Sequence, residues 1–299
     1  MNLLQLQEGE KISDCLSIRD FSAPDHYLIM ATKKGLVKKT NLSDYGRPRK
    51  GGIIAIKLRD DDELIHVMVT KKSDDIILST ASGMAIRFKE SDARPMGRNT
   101  SGVKGISLSA DDYLVGMVVA DPEATLLTAC ENGYGKRTLF GPNEVEDGDD
   151  ETSSSNRYRT QKRGGKGVRD IKTTKRNGPV IGIVPVVDTD EILLMTSRGK
   201  LQRIACNDIN TIGRNTQGVR IMSMDEGDNL SAIVRVPRDE PDGQAEDGSG
   251  ESDQPDGEPV AKDIQADSDA KSDPKSDAKP GSGPNDSEQD GPDEASEGE

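Results

Sequence analysis

Short runs of alternating or β-branched apolar residues, broken by glycine turns, recur through the first 238 positions of this 299-residue chain. Ile76-Ile77-Leu78-Ser79-Thr80 is β-prone, Ala81-Ser82-Gly83 supplies a turn, and Met84-Ala85-Ile86-Arg87-Phe88 alternates. Two such runs joined through a glycine able to adopt positive φ predict a hairpin. Leu28 to Val37, Leu126 to Lys136 and Ile192 to Leu201 repeat the design. A polar, glycine-rich loop follows. Then come two more short runs about an acidic turn: Ile54 to Leu58, Asp60-Asp61-Asp62-Glu63, and Leu64 to Val69. Ala110-Asp111-Asp112 and Asp225-Glu226-Gly227-Asp228 are the later acidic turns. The apolar runs are too short for a helical solenoid.

The pattern has a period. Turn glycines Gly35, Gly83, Gly133 and Gly199 each precede a basic residue by four positions: Lys39, Arg87, Arg137 and Arg203. Further on comes a Gly-Val or Gly-Ile step, at Gly52-Ile53, Gly102-Val103, Gly167-Val168 and Gly218-Val219, spaced by 50, 65 and 51 residues. Four short strands per unit of this size predict propeller-type blades. The expected fold is all-β, a pinwheel- or propeller-like array of about four complete four-stranded blades plus a partial one. The expected spans are 19–72, 73–122, 123–188 and 189–238, with an acidic, serine-rich insertion at 144–156 that enlarges the third unit. Leu4 to Ile12 aligns with Met222 to Leu230, so residues 1–18 read as the second half of a blade.

Composition divides the chain further. Of 54 acidic and 40 basic residues, 21 and 4 fall in 239–299, leaving 33 and 36 in the body. The tail, at −17 and without aromatics, cannot bury enough apolar surface to offset chain entropy and is expected to be disordered. The body, at +3, must build its core from Ile, Leu, Val and Met, because there is no Trp and only three Phe. This basic body with an acidic tail suits a nucleic-acid protein, although acidic tails also occur elsewhere. Cys15, Cys130 and Cys206 lie far apart and read as reduced thiols; His26 and His66 have no ligand-spaced partners. No metal, cofactor or catalytic residue is expected in this chain. The absence of a signal peptide or a long apolar run implies no export and no membrane span.

The candidate chemistry lies in the loops. Gln161-Lys162-Arg163-Gly164-Gly165-Lys166-Gly167-Val168-Arg169 places three glycines between cations, a pattern that lets backbone N–H groups approach an anion. Arg98, Arg163 and Arg214 each sit four residues before the landmark glycine, and Lys104, Arg169 and Arg220 two after it. The first unit offers Arg47, Arg49 and Lys50 instead. With Lys39, Arg87, Arg137, Lys162, Lys166 and Arg203, these are the candidate DNA contacts. On a regular array, equivalent cations share one rim and present a track, which suits a phosphate backbone better than a small molecule. The same pattern also suits solvated blade corners. No loop has the GxxxxGK[ST] spacing of a P-loop.

Glu131-Asn132-Gly133-Tyr134-Gly135-Lys136-Arg137-Thr138, Gly213 to Arg220 and Arg94-Pro95-Met96-Gly97-Arg98 resemble the C-terminal domain of the bacterial DNA gyrase A protein, over essentially 1–238. The resemblance implies a six-bladed β-pinwheel whose basic perimeter wraps double-stranded DNA for ATP-driven negative supercoiling. It also implies partners in the rest of a gyrase complex (the gyrase A core and the gyrase B protein) and a cytoplasmic, nucleoid-associated location. The four complete units match the family's last four blades. The breakage-reunion region lies upstream in the family, so the expected role is a sequence-nonspecific wrapping module of a type II topoisomerase, not catalytic by itself. Gln161 to Gly167 differs at one position, Lys162, from the QRRGGKG box of the family's first blade. Arg157-Tyr158 is assigned no catalytic role. The wrapping domain of topoisomerase IV and a protein-binding propeller scaffold are the alternatives.

Overall fold

The computed structural model describes residues 6, 8–49, 51–141 and 157–237. The predicted insertion at 144–156, the acidic tail and Lys50 lie outside the described residues. The regular elements among those residues are all β-strands, apart from a few single turns of 3-10 helix. Among them no helix is long and apolar enough to cross a membrane.

The repeat appears directly in the strands. β1 (His26–Thr32) and β2 (Leu36–Asn41) form a hairpin, and β3 (Leu64–Lys71) pairs with the other side of β1. The second unit uses β4 (Asp75–Thr80) and β5 (Met84–Lys89), then β6 (Val103–Lys104) in its loop and β7 (Leu114–Val119). The third has β8 (Thr125–Cys130), β9 (Tyr134–Leu139), β10 (Val168–Arg169) and β11 (Val180–Val186). The fourth has β12 (Glu191–Thr196), β13 (Leu201–Ala205), β14 (Val219–Arg220) and β15 (Leu230–Val236). Gly83, at φ +81°, shows why the turn needs glycine: a Cβ there would lie 2.2 Å from the Ile171 carbonyl oxygen.

Sheet membership crosses the repeat. The sheets run β3-β1-β2-β6, β10-β5-β4-β7, β11-β8-β9-β14 and β13-β12-β15. Each of the first three takes its outer strand from the loop of the following unit, so the units interlock instead of closing on themselves. Among the described residues the fourth sheet has three strands. Two expectations change as a result. The four strands of a blade do not come from one contiguous span, and Ile54 to Leu58 forms no strand. A two-residue strand in that loop exists only where a preceding hairpin accepts it. The described part of the partial blade, residues 8–18, likewise contains no strand.

The acidic turns cap the hairpins. The Asp62 carboxylate accepts from the N–H groups of Lys34 and Glu63, Asp112 from Ser82 and Tyr113, and Asp228 from Arg198 and Asn229. Three of the core clusters lie at the joints, and a fourth, of Leu28, Met30, Leu42 and Tyr45, lies within the first unit. Ile29, Val37, Ile76, Leu78 and Met117 fill the first, Ile77, Leu126, Tyr158 and Ile183 the second, and Leu127, Ile192, Leu194 and Leu230 the third. Successive inner strands touch, β3 with β7, β7 with β11 and β11 with β15.

Candidate nucleic-acid interface

Strand parity decides which repeated cations can face a ligand. Positions two and four after the turn glycine point into the joint with the next unit, so Lys39, Arg87 and Arg137 are buried. The Arg87 Nε donates to Asp75 Oδ2 at 2.7 Å, and its Nη1 donates to the Phe140 carbonyl oxygen at 2.8 Å. Lys39 pairs with the buried Glu90 carboxylate and lies over the Tyr27 ring, 4.4 Å from its centroid. Arg137 pairs with Asp188 and donates through Nε to the Ile209 carbonyl. The backbone repeats the clamp: Met96, Gln161 and Ile212 donate their N–H groups to the carbonyls of Lys39, Arg87 and Arg137. These three are therefore inter-blade clamps and not part of an open rim, because each charge is already neutralised or hydrogen-bonded inside a joint. Arg203 occupies the equivalent place in the last sheet, where the described residues provide no following loop. It stays exposed and pairs with Glu191 through Nε at 2.6 Å.

The loop cations behave differently. Arg47, Arg49, Lys104, Lys162, Lys166, Arg169 and Arg220 are exposed, while Arg98, Arg163 and Arg214 are half-buried. Two of the half-buried arginines, Arg163 and Arg214, tie one loop to the one before. Arg163 Nη1 donates to the Lys104 carbonyl at 2.8 Å, and Arg214 Nη1 donates to the Arg169 carbonyl at 3.2 Å. Backbone bonds complete the lacing, with Lys57 N–H to Thr100, Gly164 N–H to Gly105, Ser107 N–H to Gly165, and Asn215 N–H to Asp170. Lys104, Arg169 and Arg220 thus project from successive two-residue strands on one laced rim. In the first unit Ile54 stands at that position.

The landmark glycines have a structural duty. Gly167, at φ +76°, would place a Cβ 2.3 Å from the Ala85 carbonyl oxygen, so only glycine lets β10 reach β5. The expectation that these glycines chiefly open backbone N–H groups to an anion is revised at this position.

The sequence reading missed Arg176 and Lys175. Arg176 donates to the Tyr134 hydroxyl at 3.2 Å with its guanidinium 5.0 Å from the ring centroid, and Arg220 reaches the same hydroxyl at 3.3 Å. The Arg176 hydrogen bond, followed by that of Arg220, holds the Tyr134 phenol below its ordinary pKa. The basic run Lys172 to Arg176 was the available signal, and it lies outside the landmark spacing. Lys166, Arg169 and Lys175 line a hollow of about 940 Å³, together with Asp111, Asp112 and Glu131. Two lysines are wholly internal: Lys136 pairs with Asp170 at 2.7 Å, and Lys38 donates to the carbonyls of Ala55 and Arg98. Burial, and then the charge of Asp170, push the Tyr158 phenol well above its ordinary pKa, and its hydroxyl donates to Asp170.

The same four-unit pattern is found in known proteins. A family model described as "DNA gyrase C-terminal domain, beta-propeller" matches residues 26–71, 74–121, 153–186 and 190–237, one match for each unit. The chain belongs to the DNA gyrase C-terminal domain family. The DNA gyrase A protein of Escherichia coli (strain K12) is 42% identical over 251 residues, covering 83% of this chain and 27% of that protein. Its counterpart in Staphylococcus epidermidis (strain ATCC 12228 / FDA PCI 1200) is 39% identical over 238 residues, covering 79% and 25%. The chain therefore spans about a quarter of the length of these curated relatives. A solved DNA gyrase A C-terminal domain superposes with a TM-score of 0.66 at 28% identity, covering 78% of this chain and 73% of that one. The C-terminal domain of DNA topoisomerase IV gives 0.67 at 25% identity, covering 78% and 68%. The backbone alone does not separate the two enzymes, whereas the matched gyrase A sequences reach 42% identity.

Proposed function

We propose that this chain is a sequence-nonspecific DNA-binding and wrapping module that acts as part of a gyrase A protein. The observation that carries this reading is the laced rim, on which Lys104, Arg169 and Arg220 repeat at equivalent positions beside Lys162 and Lys166. A series of cations at blade spacing matches a continuous phosphate backbone, whose contacts position the duplex without reading its sequence. In this reading the module works in the cytoplasm at the nucleoid, with the gyrase A core and the gyrase B protein as partners, and bends DNA for their ATP-driven reaction.

The experiment is a salt titration of duplex binding, with Lys104, Arg169 and Arg220 changed to Ala together. Each lost phosphate contact should lower the slope of log K against log salt by about 0.9, with little change in preference between sequences. Unaltered affinity and slope in the triple variant would overturn the reading. Co-purification with a gyrase core, set against a topoisomerase IV core, distinguishes the two parent enzymes.

A further inference from the structure

The third unit closes its hairpin differently from the other three. The residue before each turn glycine gives its N–H to the turn that precedes the unit's last strand. In three units the acceptor is a carboxylate: Asp62 for Lys34, Asp112 for Ser82 and Asp228 for Arg198. In the third, the Asn132 N–H goes to the backbone carbonyl oxygen of Asn177 at 3.0 Å. No carboxylate is needed there, and the charge of the turn is reversed. Lys172, Lys175 and Arg176 stand where the other units carry Asp60 to Glu63, Asp111-Asp112 and Asp225 to Asp228. The basic turn is held firmly. The Thr174 N–H and hydroxyl both donate to Asn177 Oδ1, at 2.7 and 3.0 Å, and the buried Asn177 Nδ2 donates to the carbonyls of Lys172 and Gln217. Asn132 Nδ2 donates to the carbonyls of Lys175 and Arg176, each at 3.2 Å.

The joint between β9 and β14 differs in a second way. Lys104 lies opposite Leu36 and Arg169 opposite Met84, but Arg220 lies opposite Tyr134, so one rim cation of the three meets an aromatic ring. Arg220 Nη2 donates to the Tyr134 hydroxyl oxygen at 3.3 Å, and Arg176 Nε donates to the same oxygen at 3.2 Å. Both guanidinium groups also lie against the ring, 5.7 and 5.0 Å from its centroid. Both arginines are exposed, and among the described residues neither forms an ion pair. Two like charges brought to one neutral oxygen repel each other. An anion between them replaces that repulsion with attraction, and a phosphate group has oxygens for both planar forks. The phenol oxygen accepts twice, which leaves its own proton to donate to the same anion.

We propose that Arg176 and Arg220 together clasp one backbone phosphate of the duplex at the joint of the third and fourth units, with Tyr134 as the positioning residue that aims both guanidinium groups. The site rests on the reading of the rim as a DNA track, and it adds to that track a cation from outside the repeated spacing. It also makes the track uneven. Lys104 and Arg169 each offer a single cation to a phosphate, whereas this joint offers two preorganised forks and a hydroxyl. Preorganisation matters because the side-chain ordering is complete before the phosphate arrives. The acidic turns of the other units repel the backbone from the corresponding places, so the duplex is held most tightly where the turn is basic.

The test measures duplex binding by the full 299-residue chain across a salt series, beside thermal melting of each variant. Arg176→Ala should weaken binding about tenfold, as expected for a lost hydrogen bond to a charged group, and lower the slope of log K against log salt by about 0.9. Arg176→Lys should keep the slope and lose part of the affinity, because an ammonium lacks the planar fork. Tyr134→Phe keeps the ring and both cations, so it should weaken binding at an unchanged slope. Arg176→Ala combined with Arg220→Ala should lose less than the product of the two single losses, since both serve one phosphate, whereas Arg176→Ala combined with Lys104→Ala should lose the full product. Melting of the Arg176 variants should match the parent, because the side chain is exposed. Parental binding by Arg176→Ala, with the Lys104, Arg169 and Arg220 triple variant weakened, overturns the site and leaves the DNA track standing. Parental binding by the triple variant as well, or no duplex binding by the parent chain, overturns both. Full multiplication of the Arg176→Ala and Arg220→Ala losses, or parental binding by Tyr134→Phe, overturns the shared phosphate. So does a loss of binding that tracks lowered melting in both Arg176→Ala and Arg176→Lys.

Discussion

Replacing Arg87 with alanine tests whether the repeated cation is a clamp or a DNA contact. In the joint between the second and third units its guanidinium pairs with Asp75 and donates to the carbonyls of Phe140 and Tyr158, at 2.8 and 3.3 Å. Both members of the ion pair are buried. Truncation leaves the Asp75 carboxylate in the joint with the Thr160 hydroxyl as a donor at 3.1 Å. Breaking a buried pair from one side costs about 3–5 kcal/mol, because the remaining charge is uncompensated. That is a large share of a domain stability of roughly 5–15 kcal/mol. Arg203→Ala is the internal control. It removes the equivalent cation from an exposed pair with Glu191, where such contacts contribute at most about 1 kcal/mol. Urea unfolding followed by far-UV circular dichroism should place the Arg87→Ala midpoint lower by on the order of 1 M, and leave Arg203→Ala close to the parent. Substituting both partners, as Arg87→Met with Asp75→Leu, should recover most of the loss, since no orphan charge remains. Equal stability of Arg87→Ala and Arg203→Ala would refute the clamp. Weakened DNA binding with stability unchanged in Arg87→Ala would return that residue to the rim.

Other outcomes follow from the same geometry. Gly167→Ala forces a positive φ on a side chain and drives its Cβ toward the Ala85 carbonyl, so the variant should lose about 1–3 kcal/mol. Amide exchange at β5 and β10 should accelerate, and unchanged protection there would count against the joint. Burial, with the nearby charge of Arg98, lowers the Lys38 pKa to about 8 from an ordinary 10.5. The unfolded chain therefore binds more protons between those values, and the destabilisation, fully present below pH 8, is relieved as pH rises from about 8 to 10.5. Measured against Lys38→Met, stability should climb through that window; a flat difference would refute the assignment. Burial raises the thiols of Cys130 and Cys206 to about 12 and about 11, so a thiol reagent at neutral pH should label Cys15 alone in the native chain. Rapid labelling of all three would contradict this.

The hairpins were legible because their code is local. A β-prone run, a glycine at positive φ and a second alternating run specify β4 and β5 without reference to the rest of the chain, and the fifty-residue period then fixes the units. Family membership was legible for the same reason, since Glu131 to Thr138 and Gly213 to Arg220 are contiguous motifs. The exposed loop cations Lys104, Arg169 and Arg220 also followed from spacing.

The sequence could not say which repeated cations face solvent, because the answer depends on the neighbouring unit. Arg87 and Arg203 have the same place in their hairpins and the same acidic partner position twelve residues earlier. One is buried because a following loop packs over it, and the other is open because the described residues provide no such loop. The strand order was hidden likewise. Val103, Val168 and Val219 leave their own unit to complete the one before, a choice made by unpaired backbone groups on the preceding hairpin and invisible in hydrophobic pattern. The sequence alone determined the repeated elements and the charge they carry. The tertiary structure decided which charges are enclosed in the joints and which stand on the rim, since burial belongs to a pair of units and not to either one.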